Sequence, residues 1–206
     1  MMDPTTFGIF FVAASTLAVI PGPGMLYVLA RTVRGGRREG VLSTLGTGVA
    51  GLLHTLAAAL GVSAILATSA VAFALIKWLG AAYLIYLGVR MMLERDRLEL
   101  DAKNLTSSNS KNAFTQGILT EALNPKTALF FLAFIPQFVN PEGFVFLQFV
   151  TLGFITTLLT SGADLVVAFA AGSLSGVLKN KRGRRVQRVA SGSALIGLGV
   201  CVAVER

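Results

Sequence analysis

The chain has 206 residues, of which 54% are hydrophobic and only 14% are charged, and its net charge is +8. A soluble domain is about 45–50% apolar and about 25% charged, so an ordinary globular fold is excluded. The basic residues sit in short clusters between long apolar runs rather than along one face, which argues against a nucleic-acid partner.

A membrane-spanning helix needs roughly 17–25 mostly apolar residues. Six runs meet or approach that length: Phe7–Ala30, Val41–Ala67, Val71–Met92, Phe114–Phe138, Phe144–Gly172 and Val186–Val204. The first is preceded by Asp3 without a basic segment, so it reads as a retained helix and not as a signal peptide. It is interrupted by Pro21-Gly22-Pro23-Gly24, and the fourth run is interrupted by Asn124-Pro125-Lys126. Proline removes a backbone donor and clashes with the carbonyl four residues back, so a helix must kink or open at both places. The fold class expected is all-α: a polytopic membrane protein of six helices, with helices 1 and 4 broken.

Arg31 to Arg38, Arg90 to Lys111 and Lys179 to Arg188 hold fifteen of the eighteen Lys and Arg residues, in alternate loops. Cytoplasmic loops carry the excess of Lys and Arg, so both termini are expected on the periplasmic or extracellular side. The polar stretch 95–112 divides the chain into a first three-helix unit, 1–94, and a second, 113–206, within one membrane domain. An odd number of spans per unit makes the second enter the membrane in the opposite direction, as an inverted repeat. Leu84-Ile85-Tyr86-Leu87-Gly88 and Leu195-Ile196-Gly197-Leu198-Gly199 are spaced as a duplication requires, and so, to within a few residues, are Pro21 with Pro125 and His54 with Asp164.

Broken helices at matching places in two halves point to a transport site near the bilayer midplane. The carbonyls before each break suit an ammonium group, and the amides after it, with the positive dipole end, suit a carboxylate. Pro21, Gly22, Pro23, Gly24, Asn124, Pro125 and Lys126 are therefore candidate ligands for an amino acid zwitterion. Lys126 adds a fixed charge, which is costly in an apolar span unless it faces protein or water.

Three further residues are candidates for carrying a coupling proton. Asp164 follows Thr156, Thr157, Thr160 and Ser161 on one side of an apolar helix, either as a proton carrier or as a static partner of Lys126 or His54. His54 shares a face with Thr44, Gly48, Gly51 and Ala58, and reads either as a cross-helix hydrogen bond or as a proton relay. Glu121 lies one turn before the second break, where it can pair with Lys126 or be wetted from the cytoplasm. No nucleophile–base pair, phosphate loop or metal-ligand cluster is visible, so no catalytic residue, cofactor or metal site is expected. Cys201 alone makes neither a disulfide nor a metal site. An ion or metal exporter on the same scaffold is the alternative, but it needs several converging ligands, and one histidine with two intramembrane acids is few.

The spans, Pro21-Gly22-Pro23-Gly24, the run from Gly80 to Gly88 and Asn124-Pro125-Lys126 together resemble the LysE/RhtB amino acid exporters, over essentially the whole chain. The resemblance implies a bacterial inner-membrane protein that expels lysine, threonine, homoserine or a related amino acid, by secondary transport coupled to protons. It carries over Pro21, Gly22, Pro23, Asn124, Pro125 and Lys126 as motif positions. The partners expected are the amino acid and membrane lipid, with a homo-oligomer left open.

Overall fold

The computed structural model describes residues 4–69 and 110–179 without interruption, and beyond them the scattered positions 71, 75, 78, 79, 82, 85, 86, 89, 93, 189, 193, 196, 197 and 200. The expected third and sixth spans, residues 95–109 of the expected linker and the two matching pentapeptides lie outside the described residues, apart from those positions. Every element among the described residues is helical: α1 (Pro4–Val19), α2 (Pro23–Thr68), α3 (Ser110–Ala122), α4 (Pro125–Ala133), a 3-10 turn (Ile135–Phe138) and α5 (Val145–Lys179). The helix α3 begins at Ser110, so the last three residues of the stretch assigned to the linker are its first turn.

Both expected breaks are present. The chain leaves helical geometry between Val19 and Pro23, and again between Ala122 and Pro125. Each restart places proline in the first turn of the new helix, where the missing amide costs nothing. Asn124 caps the second restart, its side-chain oxygen accepting from the Lys126 amide at 3.1 Å. The helical runs either side of that break are inclined by 55°.

A straight α2 of 46 residues would run about 69 Å, more than twice the roughly 30 Å hydrocarbon core of a bilayer. The helix bends instead at Gly36, whose φ of 78° and ψ of −178° glycine alone adopts readily. The segment 23–35 therefore continues the passage begun by α1, and 37–68 returns as the next.

Cross-helix contacts set the directions. Phe10 packs on Phe134 and Phe138, Gly22 on Lys126, and Tyr27 bonds to Ala113, so the first broken helix is antiparallel to the second. The segment 37–68 approaches α5 through Gly40 against Ala168, Gly51 against Thr157 and Thr55 against Gly153, which is also antiparallel. Its contacts with the second broken helix, Gly46 against Phe114 and His54 against Glu121, rise together and are parallel. Residues 31–40, the start of α3 and the Ala168 end of α5 consequently share one end of the bundle. These are the described edges of the three basic clusters.

Lipid tails are as apolar as leucine, so helices in a bilayer associate through close van der Waals packing rather than through water exclusion. Glycine supplies the approach here. A β-carbon on Gly117 would lie 2.7 Å from the Ser43 carbonyl oxygen, and one on Gly46 would collide with the Phe114 carbonyl. At the opposite end, Phe130 stacks on Phe134 with ring centres 4.5 Å apart, Phe138 lies tilted 4.7 Å from Phe134, and Phe10 of α1 is 5.4 Å from Phe138. Among the described residues two helices, Pro23–Ile65 and Val145–Ala171, are long and apolar enough to cross a membrane, and the bent pair Asn112–Ala122 with Lys126–Phe138 makes a third.

Candidate functional site

The two breaks meet. Between them and α5 lies a cavity of about 50 Å³ whose wall includes Gly22, Gly24, Glu121, Asn124, Lys126 and Asp164. Pro21, Pro23 and His54 stand outside the wall, the two prolines forming the break that opens it.

Lys126 reaches across to the first break. Its Nζ donates to the carbonyl of Ile20 at 2.8 Å and to that of Leu17 at 3.4 Å. These oxygens lie at the C-terminal end of α1 and in the break after it, where carbonyls lack the donor four residues on that a continuing helix would supply. A cation there also answers the negative end of the helix dipole. Two of the carbonyls expected to await a substrate ammonium are thus already held by the protein's own.

The restart after the first break is open. Gly22 provides no side-chain cap, and the first helical bond runs from the Leu26 amide to the Gly22 carbonyl at 3.0 Å. The amides of Gly24 and Met25 precede that bond. Glu121 packs against this point so tightly that a β-carbon on Gly24 would collide with its Oε2. Its carboxylate accepts from Asn124 Nδ2 at 3.1 Å and from the Thr127 hydroxyl. The ion pair between Glu121 and Lys126 weighed from the sequence does not form: the lysine turns to α1 and the glutamate to its own helix restart. One charge of each sign nevertheless stands at the break.

Asp164 is buried, and its Oδ2 accepts from Thr47 Oγ1 of α2 at 3.0 Å. Neither Lys126 nor His54 is its hydrogen-bond partner. Thr156, Thr157 and Thr160 line the same wall, each hydroxyl donating one turn back along α5. His54 bonds across helices, its Nε2 lying 3.0 Å from the Glu121 carbonyl oxygen and its ring stacking on Phe131 at 6.1 Å. It fastens α2 to the end of α3, behind the cavity.

Sequence reasoning missed two features. Thr47 lies seven residues before His54, two turns along the same face, and marking that face further would have found it. Arg31, counted only as a loop charge, is 2% exposed. It donates to Glu39 Oε2 at 3.2 Å, to Tyr27 Oη at 3.1 Å and to Gln116 Oε1 at 2.6 Å, while Tyr27 donates to the Ala113 carbonyl at 2.8 Å. The signal available was Glu39, the one acid in an otherwise basic loop. Among the described residues no group of three or more His, Cys, Asp or Glu is placed to hold a metal ion.

Apolar helices of spanning length, two of them interrupted around a cavity that carries both signs of charge, define a helical membrane protein built around a polar internal site. Residues 15–206 match the family model of the LysE type translocator. The chain is 35% identical over 195 residues to the uncharacterized membrane protein YrhP of Bacillus subtilis, covering 91% of this chain and 93% of that protein. It is 27% identical over 201 residues to the homoserine/homoserine lactone efflux protein of Salmonella typhimurium, covering 96% and 95%. No solved structure matches. The chain belongs to the LysE type translocator family.

Proposed function

We propose that this protein is a secondary transporter of the bacterial inner membrane that exports an amino acid or a close derivative. The observation that carries the reading is the contact between the breaks, where Lys126 bonds to Ile20 across 106 residues of sequence at the edge of a polar cavity. The substrate's carboxylate is seated on the free amides of Gly24 and Met25 or on Lys126, where helix-start donors and a fixed cation converge. The efflux protein among the relatives supports a small amino acid or its lactone as cargo.

Helix directions support six spans: the segment 37–68 and α3 run the same way, which is the relation that the second and fourth of six spans have. The order of elements supports the inverted repeat: a helix broken at proline is followed in both stretches by a long helix, and the two long helices pack antiparallel. Rocking of one unit against the other would expose the cavity to each side in turn. An amino acid is larger than the present cavity, so loading requires the units to part. The basic clusters at one end of the bundle support a cytoplasmic face there and both termini outside. Asp164 carries the coupling proton in this scheme, with Glu121 and His54 as the neighbouring candidates.

Efflux of labelled amino acids from vesicles reconstituted with the purified protein tests the reading. Lys126→Met is expected to lower the rate about tenfold or more, since a hydrogen bond to a charged group is worth about 1.5–3 kcal/mol. A folded Lys126→Met protein exporting at the wild-type rate overturns the site. A wild type that exports no amino acid from a broad panel overturns the function.

A further inference from the structure

We propose that Asp164 is the ligand for the substrate's ammonium group, and that a proton and this ammonium occupy its carboxylate in turn. The proposal rests on the reading of the protein as an amino acid exporter and places the half of the zwitterion which that reading leaves without a partner. Three observations lead to it.

Two acceptors at the first break are taken, because Lys126 Nζ already lies on the carbonyls of Ile20 and Leu17. The α5 wall, in contrast, offers acceptors and no free donor. A hydroxyl carries a single proton. Thr156 and Thr157 spend theirs on the carbonyls of Leu152 and Gly153, and Thr160 spends its own on Thr156 or Thr157. Any hydroxyl oxygen that these side chains present to the cavity can therefore only accept, and the Asp164 carboxylate stands in the same wall. An ammonium group, three donors and no acceptor, suits that wall.

Thr47 supplies the third observation. Its Oγ1 lies 3.0 Å from the Thr44 carbonyl oxygen and 3.0 Å from Asp164 Oδ2, and its one proton can serve only one of them. When Asp164 is ionised, Thr47 donates to it. When Asp164 carries a proton, Asp164 donates to the Thr47 oxygen and Thr47 donates to Thr44. Every hydrogen finds an acceptor in both states with the heavy atoms in place. Loading or unloading a proton therefore needs no rearrangement of the helices.

Exchange follows from burial. An ionised carboxylate removed from water is costly unless a cation or a proton neutralises it. At Asp164 either the substrate ammonium or a proton does so, and each must leave before the other binds. Among the described residues, the remaining titratable groups facing this space are Glu121 and Lys126, from the second break. The described wall residues of α1 are Leu17 and Ala18, while Ile20 and Gly22 of the break and Gly24, Met25, Thr47 and Gly51 of α2 do not titrate either.

The test is equilibrium binding of labelled L-homoserine to the purified full chain in lipid nanodiscs between pH 8.5 and pH 5. N-acetyl-L-homoserine, which keeps the carboxylate but lacks the ammonium, is the companion probe. For the wild type the dissociation constant of L-homoserine is expected to rise about tenfold per pH unit along the acid limb, as one proton competes for one site. Asp164→Asn is expected to lose at least about tenfold in affinity at high pH and to lose the slope. Asp164→Glu and Glu121→Gln, whatever their affinities, are expected to keep the slope. N-acetyl-L-homoserine is expected to bind more weakly than L-homoserine to the wild type and to show no acid limb. A folded Asp164→Asn protein with wild-type affinity and slope overturns the proposal while leaving the exporter reading intact, provided the wild type still exports. If Asp164→Asn does not fold, equal binding of the two probes by the wild type, or loss of the slope in Glu121→Gln alone, overturns it equally. A wild type that binds no amino acid at any pH overturns the exporter reading, and this proposal with it.

Discussion

Gly24→Ala probes the contact between the two breaks more directly than any change of charge. In a helix the substitution normally stabilises by about 0.5–1 kcal/mol, because glycine has more backbone freedom to lose. Here the new β-carbon lands on Glu121 Oε2. Glu121 must swing away and give up the bonds from Asn124 Nδ2 and the Thr127 hydroxyl. At about 1.5–3 kcal/mol for each bond to a charged group, the gross loss is about 3–6 kcal/mol. Cavity water recovers roughly half of that, and after the helix gain the net cost is about 1–2 kcal/mol. In a chain of this size that lowers Tm by about 2–8 °C. The decisive comparison is a double-mutant cycle with Glu121→Ala, measured by thermal unfolding in one detergent. Without the carboxylate the clash disappears, and Gly24→Ala should revert to a small gain, a coupling of about 1.5–3 kcal/mol. Equal destabilisation in both backgrounds refutes the idea that the second break presses its glutamate onto the first.

Two further substitutions test how the helices are held. Gly117→Val drives a branched side chain into the Ser43 carbonyl, and overpacking of that kind costs about 1–3 kcal/mol; an unchanged Tm would mean that α2 and α3 do not touch there. Arg31→Met breaks the buried ion pair with Glu39, whose side chain is 5% exposed, at an expected loss of about 3–5 kcal/mol. The pair Arg31→Met with Glu39→Met should cost less than Arg31→Met alone, and the same unfolding measurement shows whether it does.

The apolar runs, the two proline interruptions and the all-helical fold were legible in the sequence because each is a local property. Span length follows from hydropathy, and Pro23 and Pro125 stop and restart a helix wherever they fall. The candidacy of Lys126 and Asp164 was legible for the same reason, since a charge inside an apolar run stands out without coordinates. Their partners were not legible. Helical spacing relates residues on one helix, whereas Lys126 bonds to Ile20, and Asp164 to Thr47, between helices far apart in the chain. The sequence reading did not mark the row of Phe130, Phe134 and Phe138, and only packing showed that Phe10 closes it.

By itself, the sequence determined that this chain belongs in a membrane, where its helices must break, and which residues carry charge within the apolar runs. Only the tertiary structure decided that the breaks face each other, that the lysine answers the end of α1 and not the nearby glutamate, and that Asp164 rests on a threonine able to serve it in either protonation state. The division has a physical cause. Backbone chemistry and transfer into lipid act residue by residue, whereas the pairing of buried polar groups depends on which helices the glycines allow to come close.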